Sequence, residues 1–249
     1  MAKLNSFIKI EGTLDGLTFY KGKEGYLVRT KGGVSAQRIK NDPAFIRTRE
    51  NGTEFGHCAT SGKLLRQAIL PLLTDAKDSS VTPRLTQVMS RVKNADLTSI
   101  RGQRQVSAGL STATGQEALS GFDFNAQAPL SSVLLSDYSL NTATGEVVIS
   151  DFIPLQNLGL PEGATHVSLS CGFLNLDFST ALKDLQLSAV FNTAINSVLT
   201  PVTLTPLGVP TGTGTSIYLL KIAFFQEVNG VQYPLRNGAY NALQILDVL

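Results

Sequence analysis

The sequence predicts an α+β chain: an N-terminal β-hairpin and helices, followed by a C-terminal antiparallel β-sandwich of Ig-like type. Three observations predict it. Near the start, two β-rich runs flank a loop with two glycines. Between residues 42 and 94, apolar residues recur at helical spacing in two stretches. From residue 131 onward, about seven short segments carry strand patterning between turn residues, the pattern of a sandwich. These observations divide the chain into a basic hairpin-plus-helices region over 1–105, a linker over 106–130 and a sandwich domain over 131–249.

Ile8 and Ile10 alternate with Lys9 and Glu11, which suggests a short half-buried strand. Leu17-Thr18-Phe19-Tyr20 and Tyr26-Leu27-Val28-Arg29 flank the five residues Lys21 to Gly25 and form a hairpin. Asp42-Pro43 then reads as a helix cap followed by proline at the first helical position. Phe45, Gly52, Phe55, Ala59, Gly62, Leu65, Ile69 and Leu72 mark the buried stripe of a long helix, and Pro71 should end or kink it. Thr82-Pro83 opens a second helix whose buried face is Leu85, Val88, Met89 and Val92.

Residues 98–130 are small and polar, which suggests a connection with a short helix near Gln116–Leu119. The alternation of Phe122 and Phe124 could pin it to a sheet. Strands are expected at 145–153, 165–176, 184–192, 198–205, 216–228, 231–235 and 241–248. Asn229-Gly230 is the strongest short hairpin signal in the chain.

Charge is segregated. Residues 1–105 hold 18 Lys and Arg against 9 Asp and Glu, a net of +9, and residues 106–249 hold 3 against 10, a net of −7. Such asymmetry points to a partner for the basic part: nucleic acid, an acidic surface, or the acidic part of another copy. Apolar content of 43% suffices for a real core. No run of about 18 apolar residues is present, so no membrane span is expected. The first ten residues lack the apolar stretch of a secretory signal, which suggests a cytoplasmic chain or one released as part of a particle.

No catalytic signature is visible, and a non-enzymatic role is expected. His57 and Cys58 are adjacent, so on a helix they diverge by about 100° and chelate poorly. Cys58 and Cys171 read as small buried hydrophobes. The glycines from Gly12 to Gly16 and from Gly208 to Gly214 match no phosphate-binding loop. Asp137, Asp151 and Asp177 could meet in a loop cluster, but no known calcium-loop spacing is present. No metal and no cofactor are therefore expected. The densest basic tract is Arg29, Lys31, Arg38, Lys40, Arg47 and Arg49, with Tyr20 and Tyr26 nearby. Interleaved aromatics and cations can stack bases and contact phosphates. The same side chains can serve as a contact between subunits. These eight residues are the candidate site for assembly or for binding a polyanion.

The runs Gly12–Lys21, Tyr26–Arg29 and Asp42–Phe45, with Arg47-Thr48-Arg49-Glu50-Asn51, Glu54-Phe55 and the tail Val231–Asn241, resemble a family of uncharacterised proteins common in Bacteroidetes. The resemblance implies a repeated plan of glycine-punctuated hairpin, basic segment, helices and β-rich C-terminal half. It implies no chemistry and transfers no functional residue.

The pattern as a whole suggests a structural, self-assembling subunit of a filament, shell or phage-like particle, a homo-oligomer built head to tail. The alternatives are a nucleic-acid-binding protein using the basic region, or an adhesin using the sandwich loops.

Overall fold

The computed structural model describes residues 2–5, 8–30, 32–235 and 239–249. The chain divides into two compact units, Met1–Arg49 and Glu50–Leu249. The division therefore falls far earlier than the boundaries expected at 105 and 130.

The first unit holds a four-stranded antiparallel sheet. Its strands are β1 (Ala2–Lys3), β2 (Gly12–Leu14), β3 (Leu17–Gly22) and β4 (Gly25–Thr30), in the order β1-β4-β3-β2. Two tight turns set the register. Asp15 and Gly16 both take positive φ, 44° and 83°, as a type I′ hairpin turn requires. Gly22 pairs with Gly25, so the loop between β3 and β4 has two residues rather than the five expected. Ile8 and Ile10 lie outside any strand. Helix α1 (Ala36–Asn41) follows, capped by the Ser35 hydroxyl. Asp42 then caps a 3-10 turn, Pro43–Phe45, by accepting from the Ala44 N–H at 2.9 Å.

Helix α2 (Ile46–Ala68) has all its buried residues, from Glu54 to Ala68, in the second unit. It ends before Pro71, which sits in the first turn of α3 (Leu70–Leu73). Helix α4 (Val81–Asn94) buries Leu85, Val88, Met89 and Val92, the face read from the sequence. Short helices α5 (Val106–Leu110), α6 (Ala113–Leu119) and α7 (Leu130–Val133) occupy most of the expected linker. That segment is core, because Val106, Leu110, Leu119, Phe124 and Leu130 are all buried. Phe122 and Phe124 do join a sheet, through backbone hydrogen bonds with Ile245 and Leu243.

The remaining elements are β5 (Ser139–Asn141), β6 (Glu146–Ile149), α8 (Pro154–Asn157), β7 (His166–Leu176), β8 (Lys183–Leu187), β9 (Phe191–Ala194), β10 (Val202–Leu204), β11 (Thr215–Val228), β12 (Val231–Pro234) and β13 (Ala242–Val248). β7 and β11 pair over eleven residues at the centre of a six-stranded antiparallel sheet. β12 and β13 flank β11, and β8 and β9 flank β7. Asn229 and Gly230 form the expected turn, at φ 53° and 79°.

This central sheet is covered on both faces. Val167, Leu169, Cys171, Leu220, Ile222 and Phe224 share one core with β6 and β10 of a small sheet ordered β10-β6-β5. Leu174, Leu176, Ile217, Leu219, Leu243 and Ile245 share a second core with α2, α4, α5 and α6. The α+β class holds, but the arrangement is three layers in place of a two-sheet Ig-like sandwich. The physical reason lies in β7. Its second face carries Gly172 together with Leu174 and Leu176, which belong to the core shared with the helices. A Cβ on Gly172 would stand 2.9 Å from Leu72 Cδ1.

Candidate interaction surface

The register of the first sheet sorts its side chains. Leu14, Leu17, Phe19, Lys21, Tyr26 and Val28 fall on one face, and Thr13, Thr18, Tyr20, Leu27 and Arg29 on the other. Two of the eight candidate residues are thus brought together: the Arg29 guanidinium lies 5.6 Å from the centre of the Tyr20 ring. Tyr26 is on the opposite face, with the Lys9 ammonium 5.2 Å from its ring. A one-residue difference in register would have joined Tyr20 and Tyr26, which is why the turn length matters.

The helical candidates have different roles. Arg49 donates to the carbonyls of Ile39 and Asp42 at 2.7 and 2.9 Å. It ties the end of α1 to the start of α2, so it acts as an internal strut. Arg38 pairs with Asp42 at 3.1 Å and lies over the Phe45 ring at 5.9 Å. The Ala44 N–H and then Arg38 hold the Asp42 carboxyl below the usual range. Lys40 and Arg47 are exposed. Lys31 lies outside the described residues.

No described residue of the first unit is buried. Leu14 and Leu17 are 64% and 40% exposed, and among the described residues the two buried cores contain none before Cys58. The charge division is also sharper at this boundary. Residues 1–49 hold 10 Lys and Arg against 4 Asp and Glu, a net of +6, and residues 50–249 hold 11 against 15, a net of −4.

The second unit holds a buried ionic network that the sequence reading missed. Glu54 is 3% exposed, while its neighbour Phe55, expected in the core, is 63% exposed. The Glu54 carboxylate accepts from Lys93 Nζ at 2.6 Å, from Arg104 Nε and Nη2 at 2.9 Å each, and from the Gly102 N–H at 2.7 Å. Arg104 foremost, then Lys93 and the Gly102 N–H, hold Glu54 at about 2 against burial. The network binds α2, α4 and the 96–105 loop together. His57 Nε2 accepts from the Val106 N–H at 3.0 Å, and burial lowers its basicity. These groups satisfy one another, so the network is a structural clamp.

The remaining sequence candidates are dispersed. Cys58 and Cys171 are free, buried and in separate cores, and burial raises both thiols. His166 lies 3.4 Å from Glu227. Asp137 and Asp151 line one groove, but Asp177 is elsewhere, bound by the Ser179 and Thr180 hydroxyls. Among the described residues no group of three or more His, Cys, Asp or Glu could hold a metal ion, and no helix is long and apolar enough to cross a membrane. No protein family, curated protein or solved structure matches the chain.

Proposed function

We propose that this chain is a structural, self-assembling subunit of a filament, shell or particle, joined to its neighbours through the N-terminal unit. One observation carries the reading. The first unit has regular strands and helices but no buried residue among those described. The sheet has four strands, but none of its described side chains is buried, and apolar side chains stabilise a sheet only to the extent that something covers them. The face with Leu14, Leu17, Phe19 and Val28 supplies the apolar side chains that such a cover would bury. Nets of +6 and −4 favour contact between the first unit of one copy and the second unit of the next. A head-to-tail contact of that kind generates rings or open polymers.

A second reading has its own observation. Tyr20, Arg29, Thr13 and Thr18 share the polar face of the sheet, and an aromatic ring paired with a guanidinium suits stacking on a nucleic-acid base.

Electron microscopy and sedimentation of the full chain over a range of concentrations test the first reading. Ordered polymers are expected. Their formation should slow at high salt, because the Debye length falls from about 10 Å at 0.1 M to about 3 Å at 1 M. Deleting residues 1–30 should leave a folded monomer, since no described residue among them belongs to either core. A full chain that stays monomeric at every concentration, or a truncated chain that assembles as well as the full one, defeats the reading. Salt-sensitive binding of single-stranded DNA or RNA by the monomer, weakened by Tyr20→Ala, would favour the second.

A further inference from the structure

We infer that the groove bearing Asp137, Tyr138 and Asp151 receives the tip of the β3–β4 hairpin, Lys21–Glu24, of a second copy of this chain. The inference rests on the assembly reading above and names the surface that completes it.

The groove lies on the second unit and has a volume of about 490 Å³, with Leu135, Asp137, Tyr138, Ser139, Val148 and Asp151 among its lining. It lies over the outer face of the β5–β6 pair, since both Ser139 and Val148 line it. Ser139 and Val148 are register partners on the outer face of the small sheet, opposite to the inward Val147 and Ile149. Leu135 is 59% exposed. The groove thus offers apolar side chains beside its carboxylates.

Its charge selects the occupant. Neither Asp137 nor Asp151 has an ion pair among the described residues, and the named lining contains no Lys or Arg. The C-terminal part holds three cations, and the two that are described are committed elsewhere. Lys221 is paired with Asp75 at 2.5 Å, and Lys183 donates to the Gln67 carbonyl at 3.1 Å. Arg236, the third, lies outside the described residues. The negative Asp247 acts on the Tyr138 phenol, which burial chiefly raises, so a further carboxylate contributes to the local field. A polyanion would be repelled here, whereas a basic segment would be drawn in.

The hairpin tip fits that description. Lys21 and Lys23 are both exposed on it. The one acid of the tip, Glu24, is offset by Lys3 at 3.4 Å. Gly22 and Gly25 flank the turn and keep it narrow. Leu17 and Phe19 stand behind Lys21 on the same face, so insertion of the tip would bring apolar side chains toward Leu135 and Val148. Exposed charge pairs of this kind set orientation and encounter rate, and the apolar contact supplies most of the affinity.

A charge exchange in the full chain tests the docking. One variant carries Asp137→Lys and Asp151→Lys; the other carries Lys21→Glu and Lys23→Glu. All four side chains are exposed, so both variants should fold. Each alone should raise the concentration needed for assembly by about tenfold, since like charges then face each other. An equimolar mixture should recover assembly near the unmodified level, because each tip then meets a groove of opposite sign. Variants that assemble singly as the unmodified chain does, or a mixture that fails to recover, overturn the docking. If the unmodified chain assembles and loses assembly on deletion of residues 1–30 while the charge variants have no effect, the docking alone fails. If the unmodified chain never assembles, the functional reading fails with it.

Discussion

Both units of this protein build hairpins on the same turn, yet they differ in what the hairpins bury. Asp15-Gly16 joins β2 to β3 and Asn229-Gly230 joins β11 to β12, each with two successive positive φ values. Downstream of that similarity the two sheets diverge. Ten successive residues of β7, from Val167 to Leu176, are buried, because helices cover one face and the small sheet the other. No residue of β2, β3 or β4 is buried. The difference teaches that local strand chemistry specifies the hairpin, whereas stability is decided by what covers its faces. The second unit carries its own cover; the first has apolar and basic side chains available for one.

The largest expected effect that tests this contrast concerns Glu54. Glu54→Gln leaves Lys93 and Arg104, both largely buried, without a counter-charge. Breaking a buried ion network in this way costs about 3–5 kcal/mol. Urea denaturation at pH 7 should show that loss. Asp42→Asn, which removes the acidic cap at the exposed junction of the first unit, should leave the midpoint unchanged. If Asp42→Asn lowers the midpoint as far as Glu54→Gln, the first unit belongs to the same cooperative structure and the comparison fails.

The strands of the second unit were legible in the sequence because a sheet face imposes a period of two. The segments expected at 165–176, 216–228 and 241–248 are observed as β7, β11 and β13 within two residues at each end. The alternation of Phe122 and Phe124 located a further sheet contact inside an apparent linker. The burial of Glu54 was not legible. Spacing alone favoured Phe55, and the residues that neutralise Glu54 stand 39 and 50 positions away. The second face of β7 was hidden for a related reason: Ser168, Ser170 and Gly172 read as polar, although all three are buried and Leu72 packs against Gly172. The eight candidate contact residues were identifiable by charge and aromaticity. Which of them share a face depends on a hairpin register that one residue of turn length controls, and the strut role of Arg49 depends on helix packing.

Acid should separate the two units next. Glu54 has a pKa of about 2 in the folded protein against an ordinary 4.5. A depressed carboxylate contributes stability that is complete above pH 4.5 and is lost as the pH falls toward 2. Asp78 and Asp96 are also lowered: burial pushes both upward, and backbone N–H donors outweigh it. The urea midpoint, followed through the near-ultraviolet signal of Tyr218 stacked on Phe173, should be level from pH 7 to about 5 and fall below 4.5. Glu54→Gln should be less stable at pH 7 and lose less on acidification, retaining only the contributions of groups such as Asp78 and Asp96. An equal pH dependence in both proteins would show that Glu54 is not the controlling group.

The smallest expected effect is the sharpest comparison, because it makes the same change in both units. Gly16 and Gly230 take φ of 83° and 79°, and a Cβ on either would meet nothing within 4 Å. Replacing either with alanine therefore adds backbone strain without a clash, about 1 kcal/mol in each case. In Gly230→Ala that strain falls on a hairpin continuous with the central sheet, so the urea midpoint should drop accordingly. In Gly16→Ala it falls on a sheet with no buried residue, so the midpoint should not move. If the first unit is ordered by contact with a neighbour, the same strain should instead weaken assembly, by about fivefold in the concentration at which polymers appear. A matched fall in midpoint for both variants would show the two hairpins unfolding together. A Gly16→Ala variant that changes neither midpoint nor assembly would show that β2 and its turn take no part in the contact.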